Sequence, residues 1–296
     1  MCYSVVALAL FAVSTGAFGQ NLIVTAEGRH GSPAPAVMKD DVSVQLNQRP
    51  ASVADWVPLR GDQANLELYI VIDDGADSDL GSQFGSLKAF IDGQPRTTRI
   101  GLAYLRYGSA EIVSPLTADR ALTAKALRLP IAQPGIAASP YMGISDLVKK
   151  WPAANARREV LLIASGIDPW SAPDPRNPYL EKAITDAQRA GIPVHSIYYP
   201  EAGHLGHSYW RVNWGQNYLS ELGDETGGEA YWQGFGSPVS FDPYLKDLTA
   251  RLRNQYLLTV TPEDGKNAKG DLEPVRISTA RQGVSLMAAS KIRIRK

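Results

Sequence analysis

Residues 68–81, LYIVIDDGADSDLG, run from apolar side chains into Asp73, Asp74, Asp77 and Asp79 and end in small, flexible residues. Clustered carboxylates supply hard oxygen donors of the kind that hold Mg²⁺ or Ca²⁺. At the start of a helix the same residues serve differently, accepting hydrogen bonds from the first free N–H groups, and Asp77 or Ser78 is placed to do so. Capping is the preferred reading, with weak Ca²⁺ binding by Asp73, Asp77 and Asp79 as the alternative. His204 and His207, in HLGHSYW, stand three apart, a spacing that metal sites use. A zinc site needs at least three protein ligands, and the sequence offers no evident third. His195 falls inside an apolar run and reads as a core residue. No nucleophile elbow, H-E-x-x-H run or phosphate-binding loop is present. The chain is therefore read as non-catalytic. The rival is a metal-dependent or hydrolytic envelope enzyme using His204, His207 and nearby acids.

Aromatic residues make the third candidate set. Trp170 follows one apolar strand, while Tyr198, Tyr199, Tyr209, Trp210 and Trp214 lie in or beside the segment after the next, read here as a loop. Trp and Tyr bury much surface at little entropic cost and are enriched in binding hot spots. Trp170, Tyr209, Trp210 and Trp214 are accordingly expected to form an exposed surface for an unknown protein ligand. The competing expectation is that they pack a long loop onto the domain.

The elements that must position these groups follow from hydrophobic periodicity. LELYIVID (66–73) and EVLLIAS (159–165) are nearly continuous apolar runs, as expected of strands buried on both faces. Helical spacing covers 84–91, 118–129, 140–151, 179–190 and 243–254, with Gly191 placed to end the fourth. IPVHSIYY (192–199) reads as a further strand. Alternation of strand and helix predicts an α/β fold with a doubly wound, mostly parallel sheet and helices on both faces, whose ligands bind beyond the carboxyl ends of the strands. Before it, NLIV and DVSVQLN alternate with period two; after it, QYLLTVT, EPVRIST and VSLMAASKIRI do the same. These terminal runs predict a small accessory β region in which the strand around Val42–Leu46 lies beside the C-terminal segment, since each would otherwise expose an unpaired edge. The organisation expected is a signal peptide over 1–19, an N-terminal β segment over 20–62, the α/β domain over 63–254 and a C-terminal β segment over 255–296.

The 296 residues carry 30 Lys+Arg against 30 Asp+Glu, so the formal charge is zero and a phosphate-neutralising nucleic-acid protein is not expected. The apolar run from Val5 to Val13 is too short to span a bilayer, and Ala17 and Gly19 sit at cleavage-type spacing, which predicts export to the periplasm or beyond. No other stretch suggests an integral membrane segment. Cys2 is the single cysteine, so the mature protein is expected to lack disulfides and thiolate metal sites.

Several segments together resemble the von Willebrand factor A-type fold, and specifically the VWFA-related proteins abundant in acidobacteria. YIVIDDGADS stands where that family has its D-x-S-x-S motif, and LLIASGID where it often reads L-L-T-D-G-x-D. AGIPVHSIYY, LGDETGGEAYW and LRNQYLLTVTP match three further signposts in order, and the likeness spans roughly 21–295. The resemblance implies a metal-ion-dependent adhesion site on three loops at the carboxyl edge. Carried over by position, that site comprises Asp73, Asp77, Ser139, Ser165 and Asp168. Gly75 and Asp77 replace its two serines, Ser139 stands at its threonine and Ser165 replaces its third-loop aspartate, with Asp168 three residues on. Such a set is degenerate. No cofactor is expected, Mg²⁺ or Ca²⁺ being the only candidates.

Overall fold

The computed structural model describes residues 20–29, 34–151, 156–231, 234–262 and 272–294. The segment read as a signal peptide, 1–19, lies outside the described residues. Two sheets organise the chain. The first has seven strands: β1 (Gln20–Gly28), β2 (Val42–Leu46), β3 (Arg49–Pro58), β10 (Gln255–Pro262), β11 (Leu272–Thr279), β12 (Val284–Met287) and β13 (Lys291–Arg293). Their order is β12-β1-β10-β3-β2-β11-β13, and every pairing is antiparallel. The sheet curls until β12 lies against β11 and β13 against β1, closing over Leu22, Val24, Val44, Tyr256, Leu258 and Ile292. β2 pairs with β11, Val44 opposite Ile277, which joins the two ends of the chain in one sheet.

The second sheet has six strands: β4 (Leu66–Asp73), β5 (Thr98–Arg106), β6 (Ser109–Thr117), β7 (Arg157–Ala164), β8 (Val194–Tyr198) and β9 (Ala230–Tyr231). Its order is β6-β5-β4-β7-β8-β9, with β6 antiparallel to β5 and the other pairings parallel. These two sheets overturn the expected doubly wound, mostly parallel α/β sheet with a small accessory β region. The larger sheet is the antiparallel one, and the smaller is mixed. The physical reason lies in the terminal segments. Their period-two alternation belongs to strands with one dry face, and seven such strands can close their own core. Arg49–Pro58 carries no strict alternation, its exposed residues being scattered along the strand.

All eight residues of β4 are buried. Tyr69 and Val71 face α3 (Pro140–Lys150), α4 (Pro178–Ala190) and α6 (Tyr209–Thr226). Leu68, Ile70 and Ile72 face α1 (Phe84–Asp92) and α7 (Asp242–Arg253). α2 (Arg120–Lys125) packs beside α1. α4 starts under Asn177, whose Oδ1 accepts from the N–H groups of Tyr179 and Leu180, and ends at Gly191 with φ 64°. That left-handed φ suits glycine because no Cβ is present to clash.

The expected loop after β8 is largely helical: α5 (Gly203–Gly206) leads into the 18-residue α6. Val212, Leu219 and Leu222 supply its buried stripe. Gly215 and Gln216 interrupt that stripe, which hid the period in the sequence. A Cβ on Gly215 would stand 2.4 Å from the Ser165 carbonyl oxygen, so only glycine lets α6 approach the end of β7 this closely. Polar contacts lock the two sheets together. Gln188 Nε2 donates to the Glu225 carbonyl at 2.7 Å and to Ser290 Oγ at 3.1 Å, and Arg251 reaches Glu27, Glu229 and Asp247. Among the described residues, no helix is long and apolar enough to cross a membrane.

Candidate functional site

Parallel register places Asp73 at the carboxyl end of β4, Ser165 one residue past β7 and Glu201 three residues past β8, all at one sheet edge. Asp73 Oδ1 accepts from the Gly75 N–H at 2.7 Å, while its Oδ2 is buried with no partner among the described residues. Glu201 Oε1 accepts from the Gly135 N–H at 2.8 Å and Oε2 from the Ser165 hydroxyl at 2.7 Å. A Cβ on Gly75 would lie 2.6 Å from Glu201 Oε1 and 3.1 Å from Asp73 Oδ1, so glycine is what lets the two carboxyls crowd this turn. Backbone bonds zip the turn to the segment after β8, Asp77 N to Pro200 O and Ala202 N to Gly75 O, both at 2.9 Å.

Burial pushes the Asp73 carboxyl well above the ordinary carboxylate range, and the neighbouring Glu201 charge pushes it further. Burial raises Glu201 as well, against the opposing bonds from Gly135 and Ser165. Among the described residues no side-chain cation pairs with either acid, and the upward shift of both favours their protonated forms. Glu201 was missed in the sequence. It stands in YYPEAG, directly after a central strand, and applying the carboxyl-edge rule to every strand would have found it.

The other expected ligands are engaged elsewhere. Asp77 caps the 3₁₀ turn Ser78–Gln83, its Oδ1 accepting from the Asp79 N–H at 3.0 Å, and Asp79 itself is exposed. Ser139 donates to Asp168 Oδ2 at 2.8 Å, and Asn177 Nδ2 donates to the same oxygen at 3.0 Å. Asp168 Oδ1 accepts from the N–H groups of Trp170 and Ser171 at 2.9 and 3.2 Å. Asp74, with the fully buried side chain, grips Arg128 through both oxygens at 2.6 and 2.8 Å and takes Arg106 at 3.1 Å. Arg128 in turn lies 3.8 Å over the Tyr104 ring.

Asp73, Asp77, Ser139, Ser165 and Asp168 thus fall into two hydrogen-bonded groups and one cap rather than one centre. A divalent cation of this class takes six or more oxygen ligands, some of them waters, around one or two carboxylates. Of the buried side-chain oxygens in this set, Asp73 Oδ2 alone lacks a partner among the described residues, and no group of three His, Cys, Asp or Glu that could hold a metal forms among them. The residues present do not fit a resident Mg²⁺ or Ca²⁺.

The aromatic set divides. Trp170, Tyr209 and Trp210 are 57%, 70% and 60% exposed, and Phe235, unnoticed in the sequence, adds a ring at 42%. Tyr209 meets Phe235 at a tilt of 41°, with centroids 4.5 Å apart. Trp214 departs from expectation. It is half-buried on the helix face that packs on the core, 5.6 Å from Tyr218 and 6.0 Å from Trp210, with its indole N–H buried and unpartnered among the described residues. His204 and His207 are exposed, and His195 is buried. His195 Nδ1 accepts from the Glu229 N–H at 3.1 Å, which leaves the proton on Nε2, 2.8 Å from Glu159 Oε2.

No protein-family model matches the sequence, and no curated protein matches it. Solved structures similar to parts of the chain include an aerotolerance-related membrane protein of Bacteroides fragilis, at 13% identity and TM-score 0.46, covering 63% of this chain and 98% of that one. BatB of Bacteroides thetaiotaomicron aligns at 15% identity and TM-score 0.45, over 63% of this chain and 97% of its own. The SpRpn10 VWA domain aligns at 12% identity and TM-score 0.36, over 62% of this chain and 92% of its own.

Proposed function

We propose that this protein is a non-catalytic recognition module that binds a protein partner through the carboxyl edge of the six-stranded sheet, after export to the periplasm or beyond. The observation that carries the reading is the set of aromatic rings held open to solvent there: Trp170, Tyr209, Trp210 and Phe235. Grouped exposed apolar side chains mark interaction surfaces more often than solitary ones do. Tyr209 and Phe235 are already in contact, and Trp210 meets Trp214 edge to face, so these rings lose little further freedom on binding. Asp168 has a positioning role in this scheme, since its carboxylate holds the N–H of Trp170 itself. The rival, an enzyme built on His204 and His207, has less support, because both rings stand in solvent and no acid completes a ligand set with them among the described residues.

A photo-crosslinking residue placed at Trp170 or Trp210 tests the proposal in the native host, with exposed Lys88 on α1, against the opposite sheet face, as control. Capture of one common protein from positions 170 and 210 but not 88 is expected. Equal capture from all three, or none from 170 and 210, sinks the reading.

A further inference from the structure

At the opposite end of the parallel strands, where the chain crosses between the two sheets, lies a cavity of about 650 Å³. Its walls come from the segment after β3, the segment before β5, the first residue of β7 and the end of α7. Four arginines line it, Arg60, Arg96, Arg157 and Arg253, and no acid does among the described residues. Arg157 is 6% exposed, and its Nε is buried without a hydrogen-bond partner, 3.9 Å from Glu159 Oε1. Its Nη1 donates to Gln255 Oε1, and burial lowers its pKa more than the Glu159 charge raises it.

Glu159 holds His195 through Oε2 at 2.8 Å and turns its unbonded Oε1 toward Arg157, while Glu67 takes Arg99 and the Trp151 indole N–H. Arg96 and Arg253 are exposed and have no acidic partner among the described residues. Arg60 donates to Asn254 at 3.2 Å and has no acidic partner among the described residues. Ala34, Ala64 and Pro95, half-buried or exposed, supply an apolar wall over the buried Leu59, Leu66 and Leu252. A site of a few hundred cubic ångströms with a few convergent polar groups is the ordinary form of a small-molecule pocket.

We propose that this cavity binds a multiply charged organic oxyanion, its anionic head taken by the arginine forks and its apolar body laid on Ala34, Ala64 and Pro95. Guanidinium groups present fixed pairs of N–H donors that match carboxylate and phosphate oxygens. A bare inorganic anion would leave that apolar wall wet, so the apolar body belongs to the ligand. The proposal is independent of the aromatic edge, which lies at the other end of the strands.

Fluorescence titration of the full chain with 1-naphthyl phosphate, 1-naphthol and inorganic phosphate tests it. Naphthyl phosphate is expected to bind at least about tenfold tighter than either of the others, the worth of one charge-assisted bond or of one buried apolar group. Added salt should weaken that binding. The Arg96→Glu/Arg253→Glu pair should lower the affinity at least about tenfold while leaving the thermal midpoint in place. The Arg96→Gln/Arg253→Gln pair serves the same test if charge reversal unfolds the chain. Equal binding of naphthol and naphthyl phosphate, equal binding of inorganic phosphate, no binding by millimolar ligand, or variants that bind as well as the parent would each overturn the proposal.

Discussion

Replacing Asp73 by Asn separates a proton from a metal ion as the neutralising partner at the carboxyl edge. The Asp73 carboxyl is raised well above 3.8 by burial and then by Glu201. A carboxyl with a higher pKa folded than unfolded takes up a proton on folding. Its contribution is intact below the unfolded value and is lost as pH rises through the folded one, at up to about 1.4 kcal/mol per pH unit. Parental stability should therefore fall from about pH 4 toward neutrality, while Asp73→Asn keeps only the part of that fall that comes from the buried Glu201. The amide keeps Oδ1 for the Gly75 N–H and stays neutral at every pH. The variant should thus match the parent near pH 4 and exceed it by on the order of 2 kcal/mol at pH 7.5, the linkage of one to two pH units of titration removed. Urea unfolding at the two pH values, with and without 1 mM Mg²⁺, is the assay, and 1 mM Mg²⁺ should leave both proteins unchanged. A micromolar metal site would instead stabilise the parent by about 4 kcal/mol, from the logarithm of concentration over dissociation constant. A variant weaker than the parent at pH 7.5, together with Mg²⁺ stabilisation of the parent alone, would refute the reasoning.

Asp74→Ala strips two arginines of a buried partner. Because Arg106 and Arg128 are each about a third exposed, the loss should be roughly 2 kcal/mol rather than the larger cost of a fully buried pair, measured by the same unfolding. Gly215→Ala drives a methyl against backbone at Ser165, so a loss of about 3 kcal/mol or an insoluble product is expected, and a parental thermal midpoint would contradict the packing described. Trp210→Ala should change stability by no more than about 0.5 kcal/mol, whereas Trp214→Ala should cost about 2–3 kcal/mol, less than a fully buried Trp because it is half-exposed. Equal costs at the two positions would mean that the indoles are not divided between surface and core.

Apolar continuity made β4, β7 and β8 legible, and with them the edge at which Asp73 sits. Helix punctuation worked where caps were explicit, as at Asn177 and Gly191. It failed on α6, whose Gly215 is dictated by the Ser165 carbonyl across the chain rather than by helix propensity. The antiparallel sheet was under-weighted because its strands lie at both ends of the sequence. Period-two runs tell which face of each strand is dry, but not that β1 and β10 will pair Leu22 with Leu258.

The site shows the same limit in a sharper form. Matched position by position to the resembling family, Ser165 reads as the loss of a carboxylate. In space a carboxylate is present there: Glu201, from the next strand, accepts the Ser165 hydroxyl at 2.7 Å. It arrives already bonded to the Gly135 N–H, and it stands close enough to Asp73 to raise that group's affinity for a proton. The carboxylate has been kept while its oxygens are taken by Gly135 and Ser165, which leaves Asp73 Oδ2 as the one buried oxygen of the pair without a partner among the described residues and favours a proton there over a cation. Substituting Ser165 alone by Asp would then add a third buried carboxyl beside Glu201, displace its hydrogen bond and destabilise the fold, rather than restore a metal centre.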